Sequence, residues 1–279
     1  GKVLVTGGSD GAAATASAVL YDATANTWVC TTNDMAVARQ NHTATLLKSG
    51  SVLLCGGNTD LAGTVVTATC DTYDPATGLF AATDSMGTGR ASHSASLITD
   101  GRVFITGGYD PARAASQRFI VNSEIYNPGS SAGLEFSPTH SLAQGRAFHT
   151  ATSMGNGKIL IAGGFNNFEN AGNRVILETA EIFDPFNGSL IPAAPLLARN
   201  MRHASVLDVN GTVKLFGGLG NVTTTYLAAP SMTFGAGSYI QGVDSATFVS
   251  SGNFISSASL KTDASVPSSM ALTPDNDIT

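Results

Sequence analysis

One spaced pattern recurs four times along this chain, and it limits the possible folds more than any other feature of the sequence. In each copy a histidine is followed eight residues later by a glycine and fourteen residues later by a pair of glycines. The four copies are His42, Gly50 and Gly56-Gly57; His93, Gly101 and Gly107-Gly108; His149, Gly157 and Gly163-Gly164; and His203, Gly211 and Gly217-Gly218. Because the spacing stays constant while the intervening residues change, the pattern indicates a repeated structural unit.

Each unit continues with a second shared pattern. After the glycine pair comes a variable loop, and then an aromatic residue followed by Asp or Asn. These pairs are Tyr21-Asp22, Tyr73-Asp74, Tyr126-Asn127 and Phe183-Asp184. A bulky apolar residue follows seven positions after the aromatic in three units (Trp28, Phe80, Leu190), and an insertion delays it to Phe136 in the remaining unit. Successive glycine pairs, counted from Gly7-Gly8, begin 49, 51, 56 and 54 residues apart.

The segments between these markers read as short strands. Residues 93–98 and 102–106 are rich in β-branched and aliphatic side chains and show no helical period. Asp100-Gly101, Asn156-Gly157 and Asn210-Gly211 predict tight hairpin turns, because these residue types tolerate a positive φ. Two further strands follow, one ending at the aromatic–Asp turn and one carrying the bulky residue. Four antiparallel strands in a repeated unit of about 50 residues are typical of a β-propeller blade.

The glycine pair, the Tyr-Asp-Pro element at Tyr73-Asp74-Pro75 and the spaced bulky residue together resemble the Kelch repeat family. The resemblance covers roughly residues 1–218. It implies an all-β fold, a Kelch-type propeller of about six four-stranded blades, or seven if the chain is a piece of a longer propeller.

Residues 238–279 keep only traces of the pattern. Asp244 stands where a histidine is expected, and Ala258-Ser259 replace the glycine pair. We therefore assign residues 1–237 to propeller blades and residues 238–279 to a degenerate last blade. Residues 270–276 resemble a first strand with its turn, whereas the chain opens on what reads as a second strand, so this segment would complete the first blade and close the ring. Two alternatives stay open: both ends are cut from a longer propeller, or another β domain begins near residue 238.

Composition excludes several classes of partner. Charged residues make up only 12% of the chain, the net charge is −6, and no stretch concentrates Lys and Arg. Nucleic acid and anionic membranes are therefore poor partners on electrostatic grounds. No apolar run approaches the roughly 20 residues that span a bilayer, so we expect no direct membrane insertion. A surface built largely from Ser, Thr, Asn, Ala and Gly favours an extracellular or cell-surface location.

The three cysteines, Cys30, Cys55 and Cys70, cannot all pair within one chain. No C-x-x-C motif is present, which argues against a zinc site or a thioredoxin-type site. Cys55 and Cys70 fall on neighbouring predicted strands. A disulfide between them and a pair of buried free thiols are both compatible with the sequence.

The repeated histidines and arginines allow two interpretations. His42, His93, His149 and His203 could surround a metal ion, but a residue present in every blade is more typical of a local structural task, and we find no regularly spaced carboxylates to support ligands. Arg39, Arg90, Arg146 and Arg199 could form a cationic ring for a carboxylate or acidic sugar, or pair with backbone carbonyls or the turn aspartates. We predict the structural role for both sets, with no metal and no cofactor.

A galactose-oxidase-like enzyme is the main catalytic alternative, because that family shares the propeller. Its copper-ligand strand carries a Tyr-His pair, whereas here the residue before each histidine is Asn41, Ser92, Phe148 or Arg202. No candidate for that family's crosslinked Tyr–Cys pair is evident either.

The loops that follow the third and fourth glycine pairs are the best candidates for a binding site, since loops on a rigid scaffold commonly carry function. They contain aromatic, Asn and Arg side chains suited to a sugar or a protein. The candidate ligand-binding residues are Tyr109, Arg113, Arg118, Phe165, Asn166, Asn167, Phe168 and Arg174.

From these observations we predict a non-catalytic propeller that binds a protein or a glycan through its inter-strand loops, as part of a larger surface assembly or by itself. The alternatives are a carbohydrate-acting propeller enzyme, either an oxidase or a sugar isomerase, and a self-assembling subunit of a surface fibre. Because one propeller frame hosts unrelated functions, the ligand has to be argued from a site.

Overall fold

A computed structural model describes residues 1–169 and 173–220, with the side chains of residues 167–169 and 173–174 left out of the description. This part of the chain is almost entirely β-structure. It holds nineteen strands, and one turn of 3-10 helix at Ala115–Gln117. No helix in this part is long and apolar enough to cross a membrane. The all-β class predicted from the sequence is confirmed.

The strands form a series of antiparallel sheets that follow one another along the chain. The first sheet contains β1 (Lys2–Thr6), β2 (Ala18–Asp22) and β3 (Thr27–Cys30). The second contains β4 (Thr43–Leu46), β5 (Val52–Cys55), β6 (Cys70–Asp74) and β7 (Leu79–Ala82). The third contains β8 (Ser94–Leu97), β9 (Val103–Thr106), β10 (Ser123–Tyr126) and β11 (Phe136–Thr139).

The fourth sheet follows the same order but carries an inserted hairpin. It contains β12 (Thr150–Ser153), β13 (Ile159–Ala162), β16 (Ala180–Asp184) and β17 (Ser189–Ala193), while β14 (Phe165–Glu169) and β15 (Asn173–Ile176) form a separate two-stranded ribbon. A fifth sheet begins with β18 (Ala204–Leu207) and β19 (Val213–Phe216). Four antiparallel strands in sequence order therefore make up each complete repeat, as the sequence predicts.

The hairpin turns have the predicted glycine geometry. In the third sheet the Gly101 N–H donates to the Ile98 carbonyl at 3.0 Å, and Gly101 has a φ of 101°. The Ile98 N–H in turn donates to the Arg102 carbonyl at 2.8 Å. A glycine in the left-handed region after a tight turn is a common hairpin connection, because its twist matches that of the strands.

Consecutive sheets stack face to face, and alternation along each strand supplies the packing. In β5, Leu53 and Cys55 pack toward Val103 and Ile105 of the third sheet. Leu54, one position away, faces the first sheet, in a cluster with Ala18, Met35 and Tyr73. Between the third and fourth sheets the rings of Phe104 and Phe183 are stacked with centroids 3.9 Å apart. The core is therefore a set of apolar layers between sheets.

The first strands of successive sheets lie side by side, so that β4 contacts β8, β8 contacts β12 and β12 contacts β18. Small hydroxyl side chains make this approach possible. Ser94 Oγ donates to the His149 carbonyl at 3.1 Å and Ser96 Oγ donates to the Ala151 carbonyl at 2.8 Å. Stacked sheets whose first strands adjoin one another are consistent with a propeller.

The structure resolves the alternative left open for two cysteines. Cys55 and Cys70 are directly opposite on β5 and β6, with Cα atoms 4.3 Å apart, and their sulfurs form a disulfide. Cys30 is free and exposed.

Two predictions lie outside the described residues: the degenerate blade at 238–279 and the ring-closing strand at 270–276.

Candidate functional site

Three of the four repeated arginines are buried and bonded within the fold through both terminal nitrogens. Arg39, Arg90 and Arg146 are each at most 1% exposed. Arg90 Nη1 donates to the carbonyls of Gly107 and Asn122 at 2.9 and 2.8 Å, and Arg90 Nη2 donates to Glu124 Oε1 at 2.6 Å. Arg39 and Arg146 make the same three contacts, with Asp71 and Glu181 as their carboxylate partners. Each of these guanidinium groups bonds to carbonyls and to an acid of its own sheet, so it is not available to a ligand.

The acids of these pairs are regularly spaced along the sequence, so the expectation that the chain has no regularly spaced acids was wrong. Asp71, Glu124 and Glu181 each stand two residues before the aromatic of their unit, at Tyr73, Tyr126 and Phe183. The shared spacing is visible in the sequence but is measured from the aromatic and not from the histidine. The predicted partner at the aromatic–Asp turn is not used, because that aspartate is three residues further along the strand.

The fourth repeat departs from the prediction for Arg199. This side chain is half-exposed and pairs with Glu178, with Arg199 Nε and Glu178 Oε2 3.6 Å apart. The position three residues before His203 belongs to Asn200, whose Nδ2 donates to the Gly217 carbonyl at 2.8 Å. Asn200 thus makes the contact to the glycine pair that arginine makes elsewhere, and Arg199 does not take the place of the buried arginines.

Three of the four repeated histidines bond to the neighbouring sheet through their rings. His93 Nε2 lies 2.9 Å from Thr43 Oγ1 in the preceding sheet, and His203 Nε2 lies 2.9 Å from Thr150 Oγ1. His42 makes the corresponding contact with Thr6 Oγ1 at 2.9 Å. At His149 the preceding sheet offers Ser94, whose hydroxyl bonds to the backbone carbonyl of His149 instead. The histidines are therefore placed for inter-sheet contacts.

These imidazoles are held neutral at pH 7. Burial, with a contribution from the neighbouring arginines, lowers the pKa of His42 to about 4 and that of His149 to about 3. Burial alone lowers the pKa of His203 to about 4, and burial also places the pKa of His93 well below its ordinary value. Within residues 1–169 and 173–220, no three His, Cys, Asp or Glu side chains are grouped so that they could hold a metal ion.

We expect acidification to destabilise the protein through these histidines. Between about pH 6.5 and about pH 4 the unfolded chain binds protons at histidine while the folded chain does not, so the free energy of unfolding falls as the pH is lowered. Urea unfolding at about pH 6.5 and about pH 5 measures the effect, in a range where most carboxylates stay ionised. The variant His149→Gln should show a smaller difference between the two pH values, and equal stability of the parent protein at both would contradict the expectation.

The residues before the four histidines form the most unusual backbone feature of the molecule. Asn41, Ser92, Phe148 and Arg202 all adopt left-handed conformations, with φ values of 55°, 55°, 54° and 57°. The last three donate their N–H to the carbonyl of the equivalent residue in the preceding sheet: Ser92 to Asn41 at 2.9 Å, Phe148 to Ser92 at 3.0 Å and Arg202 to Phe148 at 2.8 Å. We call these four residues the left-handed arc, because they join the second to the fifth sheet in one curved row.

The predicted binding loops begin beside this arc. The first residue after each glycine pair bridges to the residue just before the arc position, as Tyr109 does to Ala91 and Phe165 does to Ala147. The Phe165 ring is stacked on Phe148 with centroids 5.5 Å apart and is also in edge contact with Phe119 at 5.0 Å. Tyr109 contacts Phe119 in turn, at 5.2 Å. An aromatic cluster therefore supports the arc from the loop side.

One cation stands at the end of this cluster. The Arg202 guanidinium carbon lies 4.3 Å from the centroid of the Phe148 ring, a cation–π contact. Arg202 is exposed, and among the described residues no carboxylate forms an ion pair with it. In the sequence Arg202 is an additional arginine of the fourth repeat and stands where a copper-ligand strand would carry tyrosine. Its place in the arc was not predicted, because no residue type encodes the left-handed conformation that aligns the four residues.

The remaining predicted ligand-binding residues are dispersed. Arg113 pairs with Asp110, with Arg113 Nε and Asp110 Oδ2 3.3 Å apart, and Arg118 Nε donates to the Arg113 carbonyl at 3.2 Å. Both arginines therefore order their own loop. Asn166 is partly buried on β14. Asn167, Phe168 and Arg174 belong to the β14–β15 ribbon, and their side chains lie outside the description.

Comparison with known proteins supports the fold and leaves the site open. No protein-family model matches the chain. No curated protein sequence matches it either. Among solved structures, that of YjhT is similar with a TM-score of 0.64 and 14% sequence identity, over 79% of this chain and 75% of that chain. A likeness at this identity shows a shared fold alone.

Proposed function

We propose that the chain forms a Kelch-type β-propeller of about six blades, or seven if it is a piece of a longer propeller, and that it binds a glycan at the left-handed arc. The stacking of successive sheets and the adjoining first strands support the propeller. Among the described strands, β1 has no partner on its second edge, as expected of a sheet that one more strand would complete.

The single observation that carries the binding site is the arc itself. A left-handed conformation costs an L-residue on the order of 1–2 kcal/mol, and it is uncommon for Phe and Arg. Backbone strain of this kind tends to accumulate at functional sites. Here the left-handed backbone places Asn41, Ser92, Phe148 and Arg202 in one row. This row lies at the end of the sheets where the variable loops begin.

The chemistry of the arc favours a glycan with an acidic group. Asn41 and Ser92 offer hydrogen-bonding groups of the kind that bind hydroxyls, and the partly exposed Phe148 ring, which contacts Phe165 and Arg202, adds apolar surface. Arg202 supplies a guanidinium suited to a carboxylate or sulfate. The arc contains no acidic residue that would oppose such a ligand.

An extracellular or cell-surface location fits the same proposal. The Cys55–Cys70 disulfide persists best in an oxidising compartment, and the low charge content is compatible with a surface coated by hydroxyl and amide side chains. We propose binding without catalysis, because three of the four repeated histidine rings and the buried arginines are used for contacts within the fold.

A glycan array containing neutral and acidic members tests this proposal, followed by calorimetry on the best ligand. We expect acidic glycans to bind, and the variant Arg202→Asn to bind at least about tenfold more weakly, equivalent to about 1.4 kcal/mol. Asparagine tolerates the left-handed conformation, so this variant should keep its stability. The matched control is Arg102→Asn, which removes an exposed arginine from a hairpin turn where it pairs with Asp100. Absence of glycan binding, or equal binding by both variants, would exclude the site.

A further inference from the structure

A cavity lies between the second and third sheets, away from the left-handed arc. It has a volume of about 540 Å³, within the range of about 300–1,000 Å³ found for small-molecule sites. Its walls are the segment that leads from β7 to β8, including Asp84 and Ser85, and the outer strands β10 and β11 of the third sheet. None of the arc residues lines it.

The cavity is lined by polar side chains that the protein leaves unused. Ser85, Thr88, Asn122, Thr139 and Ser141 all line it, and none of these side chains makes a hydrogen bond within the part of the chain that the structure describes. Hydroxyls and an amide both donate and accept. Five such groups around one space suit a ligand that carries several hydroxyls of its own.

Asp84 gives the cavity a charged acceptor with a fixed orientation. Its Oδ2 accepts hydrogen bonds from the backbone N–H groups of Gly133 and Glu135, at 2.6 and 3.0 Å. Its Oδ1 accepts none from the described residues. A carboxylate held by one oxygen and free at the other is positioned to accept a strong hydrogen bond from a ligand hydroxyl.

This arrangement is particular to the third sheet. At the equivalent place between the first two sheets stands Asn33, two residues before Met35 as Asp84 is two residues before Met86. The side-chain amide of Asn33 bonds twice to the backbone of Phe80. Its Oδ1 accepts from the Phe80 N–H at 2.7 Å, and its Nδ2 donates to the Phe80 carbonyl at 3.0 Å. The insertion that precedes Phe136 draws Asp84 toward Gly133 and Glu135 instead, so its second oxygen stays free.

The charge of the cavity excludes anionic ligands. Glu124 lines the inner wall, but its charge is balanced by Arg90, with Arg90 Nη2 and Glu124 Oε1 2.6 Å apart. Asp84 and the adjacent Glu135 form no ion pair within residues 1–169 and 173–220. The local charge is therefore negative and would repel a carboxylate or a sulfate.

We propose that this cavity is a binding site for a neutral pyranose sugar of hexose size. Asp84 Oδ1 and the surrounding hydroxyls bind the sugar hydroxyls, and the ring of Phe136 together with Pro138 contacts its apolar C–H face. The site is separate from the one at the arc, and its ligand differs from that ligand in charge.

Calorimetry and amide chemical-shift mapping test this site directly. The probes are D-glucose, D-galactose, D-mannose and, as the anionic counterpart, D-glucuronate. We expect at least one neutral hexose to bind with a dissociation constant near 1 mM, to shift amides of residues 84–88 and 136–141, and to bind more tightly than glucuronate. The variant Asp84→Asn should lose about tenfold in affinity.

Matched variants on one strand separate binding from stability. Thr139→Ala removes a hydroxyl that lines the cavity, whereas Ser137→Ala removes an exposed hydroxyl from the same strand β11 that does not line it. We expect weaker hexose binding only for Thr139→Ala, with unchanged thermal unfolding in both. Absence of hexose binding, preference for glucuronate, or equal effects of the two alanine variants would overturn the proposal. Arg202→Asn leaves hexose binding unchanged if the two sites are separate, so failure of the arc site and failure of this one are distinguishable.

Discussion

Replacing Arg90 with methionine should lower the free energy of unfolding by about 3–5 kcal/mol, as expected when one partner of a buried ion pair is removed. The substitution leaves the buried Glu124 carboxylate without its counter-charge. It also leaves the carbonyls of Gly107 and Asn122 without the donor that now satisfies them. Urea denaturation monitored by the intrinsic fluorescence of the aromatic residues measures the loss.

The comparison for Arg90→Met is Arg102→Met, which breaks an exposed pair. Arg102 Nη2 lies 2.7 Å from Asp100 Oδ2, and both side chains are more than a third exposed. Exposed pairs contribute about 0–1 kcal/mol, so this variant should remain close to the parent. The double variant Arg90→Met, Glu124→Gln should recover part of the loss because the buried charge is gone. If Arg90→Met costs no more than Arg102→Met, the buried pair within the third sheet does not contribute substantially to stability.

Replacing Gly56 with alanine should be at least as damaging. Gly56 has a φ of 66°, where a Cβ costs on the order of 1–2 kcal/mol by itself. A Cβ at this position would also lie 2.5 Å from the Arg90 carbonyl oxygen and 2.8 Å from Cε1 of His93. These atoms belong to the next sheet and cannot move without separating the two. We expect a total loss of roughly 3 kcal/mol or more, measured by thermal and urea unfolding.

Gly50 provides the control that separates backbone strain from close packing. Its φ of 91° is also left-handed, but a Cβ built on it meets no atom within 4 Å. Gly50→Ala should therefore cost only about 1 kcal/mol. Equal losses for the two alanine variants would mean that the conserved spacing of the glycine pair reflects turn geometry, and not the approach of a neighbouring sheet.

Local signals explain why so much of the fold could be predicted. The turn at Asp100-Gly101 and the alternation in Val103-Phe104-Ile105 are encoded within a few residues, and such signals fix strand and hairpin positions. Because the unit repeats, the same hairpin is predicted in every sheet. The order of the four strands in each complete sheet follows from short connections between neighbours in sequence.

Contacts between distant residues account for what could not be predicted. Asp71 lies 32 residues from Arg39, and no local rule selects it over Asp74 as the partner. Asn200 takes a contact made elsewhere by arginine because its backbone, and not its side-chain type, is equivalent. The disulfide likewise required the strand register that places Cys55 opposite Cys70. In each case the sequence offered more than one chemically acceptable contact, and only the three-dimensional positions of the residues selected one.

By itself the sequence determined a repeated unit of antiparallel strands, since hydrophobic alternation and glycine-bearing turns act over short stretches of chain. Only the tertiary structure decided which buried acid meets Arg39, Arg90 and Arg146, and which histidine rings bond to the neighbouring sheet. It also decided that Asn41, Ser92, Phe148 and Arg202 stand in one row and that Asp84, with one oxygen unused, lines a cavity. The physical reason is that these contacts join residues far apart in the sequence, and their distances are set by strand register within a sheet and by the packing of apolar layers between sheets.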